Sequence, residues 1–156
     1  MGLSDSGAYT LENIVDDALT VLDACGVERA VVFGVSEGGS AATMLAATHS
    51  DRVIAMVQYG TYARVSRAED YPEGAPVAVT RRFWNRMIES WGDAAVLEYW
   101  APSAAHDPEL REWWTRWVQS GASPGAMRAI GLMYEELDVR PLLSAVSMPT
   151  LEIRGR

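Results

Sequence analysis

From Leu11 onward, apolar residues recur at three- and four-residue steps: Leu11, Ile14, Val15, Ala18, Leu19 and Leu22. That spacing lays one apolar stripe along a helix. Thr10 stands at the N-cap position and Glu12 adds a negative charge to the first turn. Gly26 can take the left-handed conformation that ends a helix. The pattern then changes. Arg29-Ala30-Val31-Val32-Phe33 is a short apolar run rich in β-branched residues, bounded by Gly26 and Gly34. It predicts a strand buried on both faces. The stretch from Gly38 to Thr48 is small and Ala-rich, and predicts a helix lying close against a sheet. Val53-Ile54-Ala55-Met56-Val57-Gln58-Tyr59, ended by Gly60, predicts a second buried strand. Two strands joined by a crossover helix are ordinarily parallel, so the class is α/β.

Past Arg64 the character shifts. Pro72, Gly74 and Pro76 mark a loop, and helical stretches follow near 77–91, 93–100, 108–119 and 124–136. Asp107-Pro108-Glu109 is a helix start made of a capping acid, Pro in the first turn and a further acid. All six Trp (84, 91, 100, 113, 114 and 117) fall in this region. Pro141-Leu142-Leu143 then leads through Met148-Pro149 to Thr150-Leu151-Glu152-Ile153-Arg154, a last strand. The expected organisation is a core segment over 1–66, a helical insertion over 67–140, and a return to a core strand over 141–156.

Composition narrows the picture. A chain of 156 residues, 49% of them hydrophobic, can build one domain with a core. Its net charge of −8 disfavours a phosphate backbone, so nucleic acid is not an expected partner. No apolar run is long enough to cross a bilayer, and no membrane association is expected. Met1 to Ser6 has neither a basic start nor a hydrophobic stretch, so no secretory signal is expected there. Gly2 with Ser6 fits the myristoylation pattern, but that pattern is short and common, and an ordinary Gly/Ser/Asp loop is the expected reading. Cys25 is the single cysteine, which rules out an intramolecular disulfide and a four-cysteine zinc site. That usage fits a reducing compartment, and a cytoplasmic location is expected. There is no ligand-spaced His/Cys/Asp cluster and no P-loop, so neither a metal nor a cofactor is expected.

Candidate chemistry lies at Gly34-Val35-Ser36-Glu37-Gly38, a match to G-x-S-x-G. The pattern is short, but an apolar strand enters it and a small-residue helix leaves it, which is the setting of a nucleophile elbow. In such a turn the serine is held at a strained backbone angle, and glycines on either side leave room where side chains would clash. The hydroxyl then stands at a helix N-terminus, where N–H groups favour developing negative charge. The backbone N–H of Glu37 is the expected oxyanion donor. The alternative is an ordinary βα turn in which Ser36 caps the helix.

Thr10-Leu11-Glu12, Asp16-Asp17, Leu22-Asp23-Ala24, Gly26-Val27-Glu28-Arg29-Ala30 and Gly34-Val35-Ser36-Glu37-Gly38-Gly39 together resemble the α/β-hydrolase fold family. They look most like the hydrolase-like domains at the N-terminus of some bacterial adenylate cyclases. Ala46-Ala47-Thr48, Asp51-Arg52-Val53, Tyr59-Gly60, Asp138-Val139-Arg140 and Met148-Pro149-Thr150-Leu151 continue the likeness. The resemblance implies a partial α/β-hydrolase core of parallel strands with flanking helices, plus a helical lid. It also implies a serine esterase-like activity with Ser36 as nucleophile. In the family, strands and an oxyanion loop precede the region resembling Gly2-Leu3-Ser4-Asp5, and the catalytic acid and histidine follow the strand resembling Thr150–Ile153. The chain therefore reads as an internal fragment.

A serine hydroxyl is a weak nucleophile until a base takes its proton. Of the two histidines, His49 ends the helix that starts at the elbow, roughly 20 Å from Ser36 at ~1.5 Å per residue. His106, just ahead of Asp107, is the base this chain could supply from its lid. Asp70, in the loop after the second strand, is a distant candidate acid. Leu110, Trp113, Trp114 and Trp117 share helical spacing, which serves packing first and a pocket lining second. Two functions are expected from the residues. One is a serine hydrolase acting on a small-molecule ester or amide. The other is a non-catalytic hydrolase-like binding or assembly module. A sheet of so few strands has exposed edges, so a homodimer or a missing partner segment is expected to complete it.

Overall fold

Thr10 caps the first helix, accepting a hydrogen bond from the Asn13 N–H at 3.2 Å. That helix, α1 (Leu11–Ala24), ends where Gly26 takes φ +66°. A strand, β1 (Ala30–Val35), runs into a helix, α2 (Glu37–Thr48), and a second strand, β2 (Val53–Tyr59), follows. Four helices come next: α3 (Val77–Glu89), the short α4 (Leu97–Trp100), α5 (Pro108–Gly121) and α6 (Pro124–Glu136). The last strand is β3 (Thr150–Ile153). The computed structural model describes residues 9–155. The Gly2 pattern and the loop ahead of Tyr9 lie outside the described residues. Among the described residues, no helix is long and apolar enough to cross a membrane.

The chain divides into two compact units. One joins Tyr9–Val65 to Glu136–Arg156 and carries the sheet; the other, in its described part, spans Ser66–Glu135 and is helical. The sheet is parallel in the order β1-β2-β3. Val31, Phe33 and Val35 of β1 stand beside Ala55, Val57 and Tyr59 of β2. Leu151 and Ile153 of β3 stand beside Val57 and Tyr59 on the other side.

Alternation along each strand decides what is buried. Val32, Val53 and Met56 point into a core built with Ala42, Leu45 and Ala46 of α2 and Val15 and Leu19 of α1. The small residues of α2 let it lie close to the strands, and α1 packs behind it on the same side. The opposite face is bare. Val31 is 59% exposed, Phe33 63% and Leu151 57%. This corrects the expectation that both strands are buried on both faces. An apolar run announces that two covers are needed, and the described elements of this unit supply one.

The helical unit is held by aromatic contacts. Trp84 lies with its ring centroid 4.7 Å from that of Tyr134. A Cβ on Gly131 would come within 2.9 Å of Trp84, so α6 and α3 approach closely there. Asp107 caps α5, its carboxylate accepting from the Glu109 N–H at 2.9 Å. Trp113 and Trp117 stack at 5.9 Å with planes 9° apart, yet both are more than half exposed, as is Trp100. Trp84, Trp91 and Trp114 are half-buried, whereas Trp100, Trp113 and Trp117 pack against neighbouring rings on one side and stay exposed on the other.

The turn between β1 and α2 is closely packed. A Cβ on Gly34 would lie 2.5 Å from the Gly38 carbonyl oxygen and 2.6 Å from Gly39 Cα, both immovable backbone. Gly38, the closing glycine of the motif, faces open space. The steric demand thus falls on one motif glycine, not both. Gly34→Ala is expected to lower unfolding free energy by about 1–3 kcal/mol, the usual cost of overpacking. Gly38→Ala, inside a helix, should leave it unchanged or raise it by up to about 1 kcal/mol. Urea denaturation of both variants measures the contrast.

Candidate active site

Ser36 sits at the apex of the β1–α2 turn with φ 53° and ψ −124°, and among the described residues no other non-glycine has positive φ. Such a conformation stores roughly 1–3 kcal/mol and persists only where surrounding contacts enforce it. Here they do. The Ser36 N–H donates to the Tyr59 carbonyl at 3.1 Å, and the Gly39 N–H donates to the Ser36 carbonyl at 3.0 Å. The Ser36 side chain makes no capping bond to α2. Its hydroxyl instead lies 3.2 Å from the Tyr62 hydroxyl. The reading of Ser36 as an ordinary helix cap therefore does not hold.

Glu37 is the first residue of α2, where backbone N–H groups point out of the helix end toward the apex. The first turn of α2 is tied to the neighbouring strand as well. Gln58 Nε2 donates to the Gly39 carbonyl at 3.0 Å and to Thr43 Oγ1 at 2.8 Å. The Ser40 hydroxyl, itself buried, donates to the Tyr62 carbonyl at 2.6 Å. Gly39 leaves room for Thr61, whose Cγ2 would be 2.0 Å from a Cβ at that position. Residues 60–62 are thereby seated on the elbow. Sequence reasoning missed Tyr62 and Ser40. The available signal was position: Tyr62 follows the carboxyl end of the strand beside the elbow strand, which is where ligands bind in open parallel sheets.

The segment beyond Tyr62 is anchored by charge. The Val139 N–H donates to the Ala63 carbonyl at 2.8 Å. Arg64 pairs with Asp138 at 2.5 Å, and Arg140 reaches both oxygens of the same carboxylate at 2.9 and 2.7 Å. The Arg140 guanidinium, and after it Arg64, hold the Asp138 carboxyl well below the usual carboxylate range, against a desolvation that pushes the other way.

The remaining candidates are His49, His106 and Asp70. His49 is the C-cap of α2, at the end opposite Ser36, with its ring Nδ1 2.9 Å from Thr48 Oγ1. His106 belongs to the helical unit, is exposed, and precedes the Asp107 cap of α5. Asp70 is exposed in the same unit. The sheet unit thus brings Ser36 and Glu37 together with Tyr62 and Ser40, and within that unit His49 stands at the far end of α2 from them. Among the described residues, no group of three His, Cys, Asp or Glu side chains is placed to hold a metal.

A parallel sheet whose strand turns through G-x-S-x-G directly into a helix, with an uncapping serine at the apex, is a hydrolase-type scaffold. The family model described as alpha/beta hydrolase fold matches residues 2–90, more than half the chain, and the chain belongs to that family. It is 24% identical over 150 residues to 3-oxoadipate enol-lactonase 2 of Acinetobacter baylyi, covering 96% of this chain and 54% of that protein. It is 27% identical over 127 residues to the pimeloyl-[acyl-carrier protein] methyl ester esterase of Neisseria meningitidis, covering 80% and 49%. The fold is like that of a bromoperoxidase from Bacillus anthracis, with a TM-score of 0.77, 23% identity, and coverage of 95% and 56%. The chain spans about half the length of the curated relatives it matches.

Asp138 gives a pH signature. A carboxyl whose folded pKa is depressed adds stability above its unfolded pKa of about 4, and that stability is lost as pH falls toward the folded value. Asp138→Asn should cost on the order of 1–3 kcal/mol near neutral pH, the worth of charge-assisted bonds. The gap between wild type and variant should narrow steadily below about pH 4. Chemical denaturation across pH 2–8 measures it.

Proposed function

We propose that this chain carries the nucleophile segment of a serine hydrolase that cleaves an ester or lactone of a small acyl group. The observation that carries the reading is Ser36: positive φ, no capping bond, and a hydroxyl standing at the N-terminus of α2. In the proposed step, Ser36 Oγ attacks the acyl carbonyl carbon and the carbonyl π pair moves onto oxygen. The Glu37 N–H and the helix end stabilise that oxyanion. The serine proton passes to a base, and collapse of the intermediate forms the acyl-enzyme and expels the alkoxide, which takes the proton. An enol-lactonase and a methyl ester esterase among the relatives support the substrate class. His106 is the candidate base from this chain; base and acid otherwise come from polypeptide corresponding to the part of the relatives that this chain does not match.

A second reading is a non-catalytic hydrolase-like module of the kind linked to nucleotide cyclases. The bare sheet face favours it, because a broad apolar surface is suited to docking. On either reading the face needs a cover, and we infer that the same unmatched hydrolase-fold polypeptide supplies it, since an all-parallel sheet is stable only with both faces covered. The free, exposed thiol of Cys25 supports a reducing compartment, the cytoplasm.

Two measurements test these proposals. The purified chain should hydrolyse a short activated ester and take up a fluorophosphonate as a mass adduct, and both should vanish in Ser36→Ala. Loss of both in His106→Ala as well would assign the base to this chain. Turnover that survives in Ser36→Ala would sink the hydrolase reading. For the bare face, the chain alone should bind a hydrophobic dye and self-associate with rising concentration, and Phe33→Glu should reduce both. A discrete, stable dimer in sedimentation would assign the cover to a second copy. A dye-negative monomer would refute the need for a cover.

A further inference from the structure

Resting on the reading of Ser36 as the nucleophile, the geometry points to Tyr62 as the group that holds and activates it: we propose that the Tyr62 phenol donates a hydrogen bond to Ser36 Oγ. The two oxygens are 3.2 Å apart, within hydrogen-bond reach, and lie in the same unit of the fold. The contact spans 26 residues, so it is made by folding and not by local chain geometry.

Several independent restraints place the phenol there. Gly60, at φ 58°, lets the chain turn off β2, and its N–H is held by the Ile153 carbonyl at 2.9 Å. Thr61 occupies the space that any side chain at Gly39 would need. The Tyr62 carbonyl is gripped by the buried Ser40 hydroxyl, one turn into α2 from Ser36. Beyond it, Ala63 and Arg64 are fastened to Val139 and Asp138. Nucleophile and phenol are thus mounted on opposite sides of one clamp, with Ser40 fixing the distance between them.

The chemistry follows from which form of the serine the donor prefers. A hydrogen bond donated to an oxygen stabilises its anion more than its neutral form. Tyr62 therefore lowers the cost of developing charge on Oγ as the proton leaves, and keeps Oγ aimed off the strand end. A phenol is suited to the task because its O–H is a hydrogen-bond donor held on a rigid ring.

The test is the rate of Ser36 phosphonylation in the full chain, read by intact mass against pH. In that reaction the Oγ–P bond forms, the P–F bond breaks, and fluoride leaves while the serine proton passes to base or solvent. Tyr62→Phe keeps the ring and removes the hydroxyl. It should label about 3- to 10-fold more slowly, the loss expected for one neutral hydrogen bond. The rise of rate with pH should also be displaced to higher pH, whereas a merely structural contact would lower the melting temperature and leave the pH profile alone. Equal or faster labelling with an unshifted profile would overturn the role of Tyr62 and leave Ser36 as nucleophile. No adduct in wild type beyond that in Ser36→Ala would overturn the nucleophile reading, and this inference with it.

Discussion

The joint between β1 and α2 has almost no slack, and the rest of the sheet unit is arranged around that fact. The strand arrives at Gly34, the helix leaves from Glu37, and the Gly34 Cα faces the Gly38 and Gly39 backbone at a distance no side chain tolerates. With so little chain for the reversal, Ser36 is forced to positive φ. The strain is local, but its support is distributed: the Tyr59 carbonyl, the Gln58 amide and the Ser40 hydroxyl all tie the start of α2 to the chain at the end of β2. A strained apex is thereby made into a rigid one.

Much of this was legible in the sequence because it is local. The step of apolar residues gives α1, the small residues give α2, and β2 runs from Val53 to Tyr59 as its apolar run does. The strand–turn–helix setting of Ser36 is read directly from Phe33-Gly34 on one side and Gly38-Gly39 on the other. What was not legible is non-local. Tyr62 meets Ser36 across the sheet, and nothing in the spacing of the two encodes it. The bare face was hidden for a different reason. Val31, Phe33 and Val35 look identical to buried residues in sequence, since apolar character states a demand for cover and says nothing of whether the cover is in the same unit. Three exposed tryptophans make the same point for the helical unit: helical spacing and large aromatic rings do not fix which face is inward.

The two faces of the sheet also divide its chemistry. The face under α2 carries the apolar core and, toward its carboxyl end, polar groups that are all spoken for: Gln58, Thr43 and Ser40 bond to one another or to backbone. Buried polar groups satisfied in this way specify one arrangement, because any shift of α2 along β2 would leave several unpaired together. The other face is almost purely apolar and specifies nothing by itself. Register at the elbow is therefore set from the α2 side alone, and the turn can hold its geometry whether or not the second face is covered.

The strained turn, its helix and the phenol that meets the serine are held by contacts within Tyr9–Val65 and by the Asp138 anchor. None of these contacts draws on a residue outside the sheet unit. If Ser36 is the proposed nucleophile, a base would add proton transfer to it rather than positioning. On the proposed reading of Ser36 as nucleophile, its reactivity should depend on two separable quantities: the fixed hydrogen bonds at its oxygen and backbone, which this unit provides, and the supply of a proton acceptor.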